Sequence, residues 1–145
     1  MKQILFIFLL LPTFLWSQTN FEKGEKFFNQ EKYSAAKPFF EIFLKESQGF
    51  GTNNLKAIEY LGDIGGHLKS WDNAIFYYQK LKKLKPTEAN YYYKYGGALG
   101  MKAKESNKFK ALGMTDEVKT SFVKAIELNP KHLEARWALI ELYIQ

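Results

Sequence analysis

Cysteine is absent from the 145-residue chain, so no disulfide contributes to the fold and lipid attachment to a cysteine at a processed N-terminus is excluded. Histidine occurs only at His67 and His132, 65 positions apart and outside any HExxH sequence, so we predict no zinc site. The chain has no GxxxxGKS/T phosphate loop, and the GFGTNN run from Gly49 lacks the last glycine of a dinucleotide-binding fingerprint. The sequence therefore predicts a protein without a metal or a cofactor.

Candidate catalytic side chains are few as well. Glu25, Glu59 and Asp63 could together act as general acid and general base. Acidic residues on the exposed face of stacked helices are far more often plain solvated charges. We therefore predict no catalytic residue and expect that the protein is not an enzyme.

Arginine is nearly absent: Arg136 is the only one among 21 basic residues, in a chain of formal net charge +6. The excess lies between residues 80 and 110, where it predicts a basic patch that either keeps the surface soluble or binds an acidic partner or an anionic membrane surface. Nucleic acid is disfavoured as a partner, because base and phosphate recognition favours the bidentate fork of arginine. The patch consists of Lys80, Lys82, Lys83, Lys85, Lys102, Lys104, Lys108 and Lys110.

The N-terminus carries a short apolar segment. MKQ is followed by ILFIFLLLPTFLW, which contains no charge and is shorter than the roughly 20 apolar residues of a membrane-spanning helix. This pattern predicts a signal peptide over residues 1–17, cut near Ser17, with an uncleaved anchor as the alternative. We expect an exported protein of the bacterial periplasm or cell envelope, or a secreted one.

The stretch from Ala57 to Pro86 has the hydrophobic periodicity of two short amphipathic helices. Neither helix can bury its apolar stripe alone, so the two must fold back on each other around a polar break at Lys69 and Ser70. Gly62 provides a place where the second helix can approach closely. The stripes consist of Ala57, Leu61, Ile64 and Leu68 in the first helix and Trp71, Ala74, Tyr78, Leu81 and Leu84 in the second.

The pattern resembles the tetratricopeptide repeat (TPR), a helix-turn-helix unit of about 34 residues. It is carried here by Leu61, Gly62, Trp71, Ala74, Tyr78, Leu81 and Pro86. The same spacing recurs upstream at Gly24, Tyr33, Ala36, Phe40 and Phe43, and downstream at Tyr95, Gly96, Leu99, Phe122, Ala125, Leu128 and Pro130. The resemblance implies an all-α fold of α-hairpins stacked as a right-handed superhelix over residues 18–145. Its units are residues 19–46, 55–86 and 89–130, with a half repeat at 133–145.

Two irregularities interrupt the repeat. The first connection, near residues 47–54, reads as a loop. The third unit carries about ten extra residues near 102–113, which could extend its first helix by nearly three turns or form a protruding loop. We place Ser34, Asp72 and Asp116 near the starts of the three second helices, where short polar or acidic side chains are favoured.

The resemblance also implies that the first helices of the units line a concave groove. Its positions carry aromatic and acidic residues, which suit a peptide with apolar anchors and some positive charge. The alternative is that the aromatics pack between first helices and the acids are solvated. Gly66 and Gly100 are expected to leave depressions in the floor. The candidate groove residues are Phe21, Glu25, Phe28, Glu59, Tyr60, Asp63, His67, Tyr93, Lys94, Met101 and Trp137.

The last predicted helix is apolar around much of its circumference, whereas terminal helices of repeat stacks usually have a polar outer face. We expect either a continuation of the chain beyond Gln145 or self-association through this helix. The function that follows is an exported adaptor or scaffold that holds a protein or peptide partner in the groove. The alternatives are a structural stacking module of a larger envelope complex and binding of the lysine patch to an anionic membrane surface.

Overall fold

The computed structural model describes residues 19–47 and 51–144, which form seven α-helices. Each helix packs against the next one along the chain, so that successive hairpins stack on one another. The predicted all-α architecture of stacked α-hairpins is confirmed, and residues 1–17, predicted as a signal peptide, lie outside the described part. The helices are α1 Asn20–Asn29, α2 Tyr33–Glu46, α3 Thr52–His67, α4 Trp71–Leu84, α5 Ala89–Lys104, α6 Lys108–Leu128 and α7 Leu133–Ile144.

A glycine in each of α1, α3 and α5 sets the distance to the second helix of its hairpin. A Cβ atom at any of these positions would overlap an aromatic ring of the facing helix, so only glycine permits the observed spacing. The close approach predicted at Gly62 is therefore confirmed. The pairs are Gly24 with Phe40, Gly62 with Tyr78 and Gly96 with Phe122, at 2.8, 2.5 and 2.9 Å between the added Cβ and the nearest ring carbon.

The core runs along the stack between first and second helices. Phe40, Leu61, Ile64 and Leu81 are its largest fully buried side chains. Burial of one such side chain stabilises the fold by about 1.5–3 kcal/mol. The buried residues come from all three hairpins, so neighbouring units depend on each other for stability. No helix of the described residues is both long enough and apolar enough to cross a membrane.

The extra residues of the third unit lengthen its second helix. α5 has 16 residues, as α3 does, whereas α6 has 21 and α4 has 14. The turn of residues 105–107 is short, and the Asn107 side chain accepts a hydrogen bond from the Lys110 N–H at 3.0 Å, which caps α6 at this early point. Both predicted alternatives, a longer first helix and a protruding loop, are wrong. For the same reason Asp116 lies inside α6 and not near its start.

The last helix, α7, packs mainly on α6. His132 lies just before it, and its Nδ1 atom accepts a hydrogen bond from the Ala135 N–H at 3.3 Å, which satisfies one of the free amides of the first turn. Ala135 is fully buried, and Ala138, Leu139 and Leu142 are partly buried against the core. The opposite face of α7 is exposed.

Candidate functional site

The aromatic residues predicted to line the groove in the first two units pack on one another. The Tyr60 ring lies 4.7 Å from Phe28 and 4.7 Å from Phe40, centroid to centroid. Phe21 is only 6% exposed and packs edge-on against Phe40 at 5.8 Å, so the prediction that it presents a groove surface is wrong. Phe21 belongs to the core because the hairpin closes tightly at Gly24, which brings Phe40 against α1.

His67 packs at the edge of these aromatic residues, next to Phe28. Its ring stacks on Tyr33 with a centroid distance of 4.0 Å and an angle of 4° between the ring planes. Phe28 approaches the same imidazole edge-on at 6.1 Å. His67 is exposed, but one face of its ring is already covered by Tyr33, the first residue of α2.

The acidic residues of the predicted groove have partners within the chain. The Tyr60 hydroxyl donates to Glu25 at 3.0 Å, and the Lys94 ammonium lies 2.7 Å from Glu59 and 2.8 Å from Asp63. Burial of Tyr60, together with its hydrogen bond to Glu25, raises its pKa to about 12. Since α3 supplies both acids and α5 the lysine, these ion pairs join neighbouring first helices.

Two more tyrosines complete this network, one from the second helix α4 and one from α5. The Tyr78 hydroxyl donates to Asp63 at 2.6 Å, and the Tyr91 hydroxyl donates to Glu59 at 3.4 Å. Burial raises the pKa of both tyrosines, and the nearby carboxylates raise it further. Burial alone would lower the pKa of Lys94, but attraction to Asp63 and Glu59 outweighs it, so that pKa is raised. Much of the acidic charge of the groove is thus used to hold the stack together.

The eight lysines do not form one patch. Lys102 pairs with Asp72 at the start of α4, whereas Lys80, Lys83 and Lys85 lie near its end or just beyond it. A helix of the length of α4 spans about 20 Å, so Lys102 lies near one end of α4 and Lys83 and Lys85 lie near the other. The Lys82 ammonium lies 3.5 Å from the centroid of the Tyr95 ring, and burial lowers its pKa. The prediction of a single basic patch over residues 80–110 is wrong.

An apolar cleft opens between α5, α6 and α7. Its volume is about 620 Å³, and we refer to it as the C-terminal cleft. The extended first turns of α6 form one wall and α7 forms the other, while α5 contributes the predicted groove residues Tyr93 and Met101. Glu141 and Lys104 are the charged residues of its lining. The remaining lining residues are Gly97, Gly100, Ala103, Ala111, Leu112, Thr115, Val118, Phe122, Ala138 and Leu142.

The glycines of the first helices are of two kinds. At Gly65 a Cβ atom would lie 2.7 Å from the Ala74 backbone nitrogen, so close packing requires glycine there. At Gly97 a Cβ atom would meet no atom within 4 Å, and at Gly100 only Val118, at an ordinary 3.7 Å. Helix packing does not require these two glycines, and both line the C-terminal cleft. Gly66 also has open space around it but is not part of this cleft.

Sequence reasoning missed the α6 wall of the cleft. Ala111, Leu112 and Thr115 lie within or just beyond the extra residues, which the repeat pattern treats as an interruption. The signal that could have identified them is Asn107, an N-cap residue at the start of a helical stretch. Trp137, predicted for the groove, is 66% exposed and lies outside the cleft lining. Among the described residues, no group of three or more metal-ligating side chains could hold a metal ion.

Comparison with known proteins identifies the fold alone. No family model matches the chain, and no curated protein matches it. Among solved structures, it is similar to the C-terminal TPR-containing domain of a Plasmodium falciparum protein described as FK506-binding, with a TM-score of 0.68 and 19% sequence identity. The match covers 86% of this chain and 84% of that one. The described residues therefore have a TPR-like fold.

Proposed function

We propose that the protein is a non-catalytic interaction module that holds a segment of a protein partner in the C-terminal cleft. The observation that carries this proposal is the pair Gly97 and Gly100. A glycine inside a helix costs about 1 kcal/mol relative to alanine, and neither residue repays this cost through helix packing. A requirement for open space above α5 accounts for both glycines.

The form of the cleft supports a partner with apolar side chains. Its volume lies within the range of about 300–1,000 Å³ that is usual for binding pockets. Its walls are mostly apolar, and Glu141 and Lys104 can orient a bound segment. The N-terminal part of the predicted groove is less suited to a guest, because its aromatic and acidic side chains already contact one another.

The finer role that we propose is that of an exported adaptor of the periplasm or cell envelope, which rests on the apolar segment of residues 1–17. The stacking-module alternative would use the exposed face of α7. Binding of an anionic membrane surface through the lysines is less well supported, because Lys102 is paired with Asp72 and the lysines of α4 and α5 do not lie together.

The proposal can be tested with a phage-displayed library of random peptides, selected on the full chain. Binding of the selected peptides is then measured by fluorescence anisotropy with the wild type, with Gly100→Leu and with Gly66→Leu. Gly66 is the matched control, since it lies 34 positions before Gly100, also in open space, but outside the cleft. We expect at least a tenfold loss of affinity for Gly100→Leu and no change for Gly66→Leu. Equal affinity of both variants would show that the cleft is not the binding site.

A further inference from the structure

The outer face of α7 carries an exposed apolar stripe. Leu133, Trp137, Ile140 and Ile144 follow one another in steps of four, three and four residues, so they share one side of the helix. Their exposed fractions are 63, 66, 51 and 77%, and no described residue packs over the stripe. The side chain of Ala135, on the opposite side, is fully buried. The stripe therefore points directly away from the rest of the stack.

The stripe cannot pack against a helix in the way that α1, α3 and α5 pack against α2, α4 and α6. Ile140 follows Pro130 by ten residues, as Gly96 follows Pro86. At Gly96 and its two equivalents, glycine is required because an aromatic ring of the second helix lies against the backbone. Isoleucine in this position of α7 prevents such an approach. A helix that packs here must instead meet a ridge of side chains, as in coiled-coil packing.

The charges beside the stripe identify a complementary helix. At 100° per residue, Arg136 and Glu141 lie about 70° from the centre of the stripe, on opposite sides. In heptad terms the stripe occupies d, a, d and a, Arg136 is at g and Glu141 is at e. When two copies of this helix run in parallel, each g residue faces the e residue five positions further along the other copy. Arg136 of each copy then meets Glu141 of the other.

The opposite orientation brings like charges together. In an antiparallel pair the e positions of one helix face the e positions of the other. Glu134 of one copy would then face Glu141 of the second, and Glu141 would face Glu134. We propose that α7 is a homodimerisation surface on which two copies of this chain pack α7 against α7 in parallel around a two-fold axis. The contact is small, so the dimer is weak and its population depends on concentration.

Dimerisation through α7 has a consequence for the C-terminal cleft. Glu141 lies at the edge of the stripe and also lines the cleft, so the two clefts of a dimer lie on either side of the paired helices. A partner that carries two copies of a binding segment, or that is itself a dimer, could then bind both clefts at once and gain avidity. The dimer does not depend on the cleft being a binding site.

Orientation can be tested by disulfide crosslinking, because the full chain has no cysteine of its own. Leu133→Cys and Ile144→Cys variants are oxidised mildly and separated on non-reducing gels, with Ser34→Cys, an exposed position on α2, as the control. We expect each α7 variant to crosslink to itself at least five times more than Ser34→Cys does. In a mixture of the two α7 variants, no link between positions 133 and 144 is expected. A dominant 133–144 link would overturn the parallel arrangement. Crosslinking at the level of the Ser34→Cys control would overturn dimerisation through α7, and would be the outcome if another segment of the chain covers the stripe.

Charge reversal tests the pairing of Arg136 with Glu141. In the Ile144→Cys background, Arg136→Glu and Glu141→Arg are each expected to slow crosslinking about five- to tenfold, and the double variant to restore it to within twofold of the parent. Circular dichroism confirms that each variant keeps its helix content. If the double variant crosslinks no faster than the single ones, the proposed pairing is wrong.

Discussion

Two glycines of α3, four positions apart, allow the packing of a hairpin to be measured directly. Gly62→Ala would place a Cβ atom 2.5 Å from the Tyr78 ring, whereas Gly66→Ala would place one in open space. The Tyr78 ring cannot easily move away, because it is 6% exposed and its hydroxyl is bound to Asp63 at 2.6 Å. Overpacking of this kind costs about 1–3 kcal/mol. Both changes also gain about 1 kcal/mol of helix propensity, and this gain cancels when the two variants are compared.

We therefore expect Gly66→Ala to be more stable than the wild type by about 1 kcal/mol, and Gly62→Ala to be less stable than Gly66→Ala by about 1–3 kcal/mol. Urea denaturation followed by circular dichroism measures both differences, provided that the dependence on urea concentration is the same for all three proteins. If the two variants differ by less than about 0.5 kcal/mol, glycine does not set the hairpin spacing in the way that we describe. A destabilising Gly66→Ala would refute the assignment of open space at that position.

The remaining predictions concern the network between α3 and α5. Lys94→Met leaves Glu59 and Asp63 without their cation. Because all three side chains are 21–29% exposed, we expect the free energy of unfolding to fall by about 1–2 kcal/mol, less than for a fully buried pair. Urea denaturation measures this loss. Lys80→Met, an exposed lysine of α4, is the control and should change stability little; equal losses would argue against the network. Tyr60 and Tyr91 have pKa values raised to about 12, whereas a tyrosine in the unfolded chain has a pKa of about 10. Above pH 10 the folded state therefore binds more protons than the unfolded state. Stability should fall as the pH rises from about 10 to 12. The part of the absorbance change at 295 nm that is lost in Tyr60→Phe and Tyr91→Phe variants should then appear together with the loss of circular dichroism. Ionisation of either tyrosine near pH 10 in a chain that keeps its helices would contradict this.

The hairpins could be predicted from the sequence because local signals are sufficient for them. Steps of three and four between apolar residues indicate each helix, and the recurrence of the pattern indicates the stack. The role of Gly62 followed from the same reasoning, since only a residue without a side chain permits a facing helix to come so close. These features depend on neighbours within one unit, which the sequence order brings together.

The parts that failed depend on contacts between units or on pairs of long side chains. Nothing in the sequence order indicates that Lys94 contacts Glu59 and Asp63, more than thirty residues earlier, so the acidic groove was predicted with its charge unpaired. The lysines of residues 80–110 are close in sequence, but α4 and the following α5 run in opposite directions, so the lysines at the end of α4 lie far from those at the end of α5. The extra residues near 102–113 are predicted as a longer first helix or a protruding loop but lengthen α6 instead, because helix propensity alone does not fix where α5 ends and α6 begins.

The predicted groove differs between its N-terminal part, at α1 and α3, and its C-terminal part, at α5 and α7. In the first part the side chains already contact one another, and in the second they leave open space, which decides where a partner can bind. Between α1 and α3, Tyr60 fills the space and binds Glu25, so a guest would have to displace contacts that already exist. Between α5 and α7, Gly97 and Gly100 leave that space empty, and α6 is long enough to wall it in. A guest in the C-terminal cleft gains apolar contacts without breaking any, and binding at that end need not disturb the ion pairs that join α3 to α5. For this reason we expect substitutions at Gly97 and Gly100 to lower affinity without a loss of stability, and substitutions in the Lys94 network to lower stability with little effect on affinity.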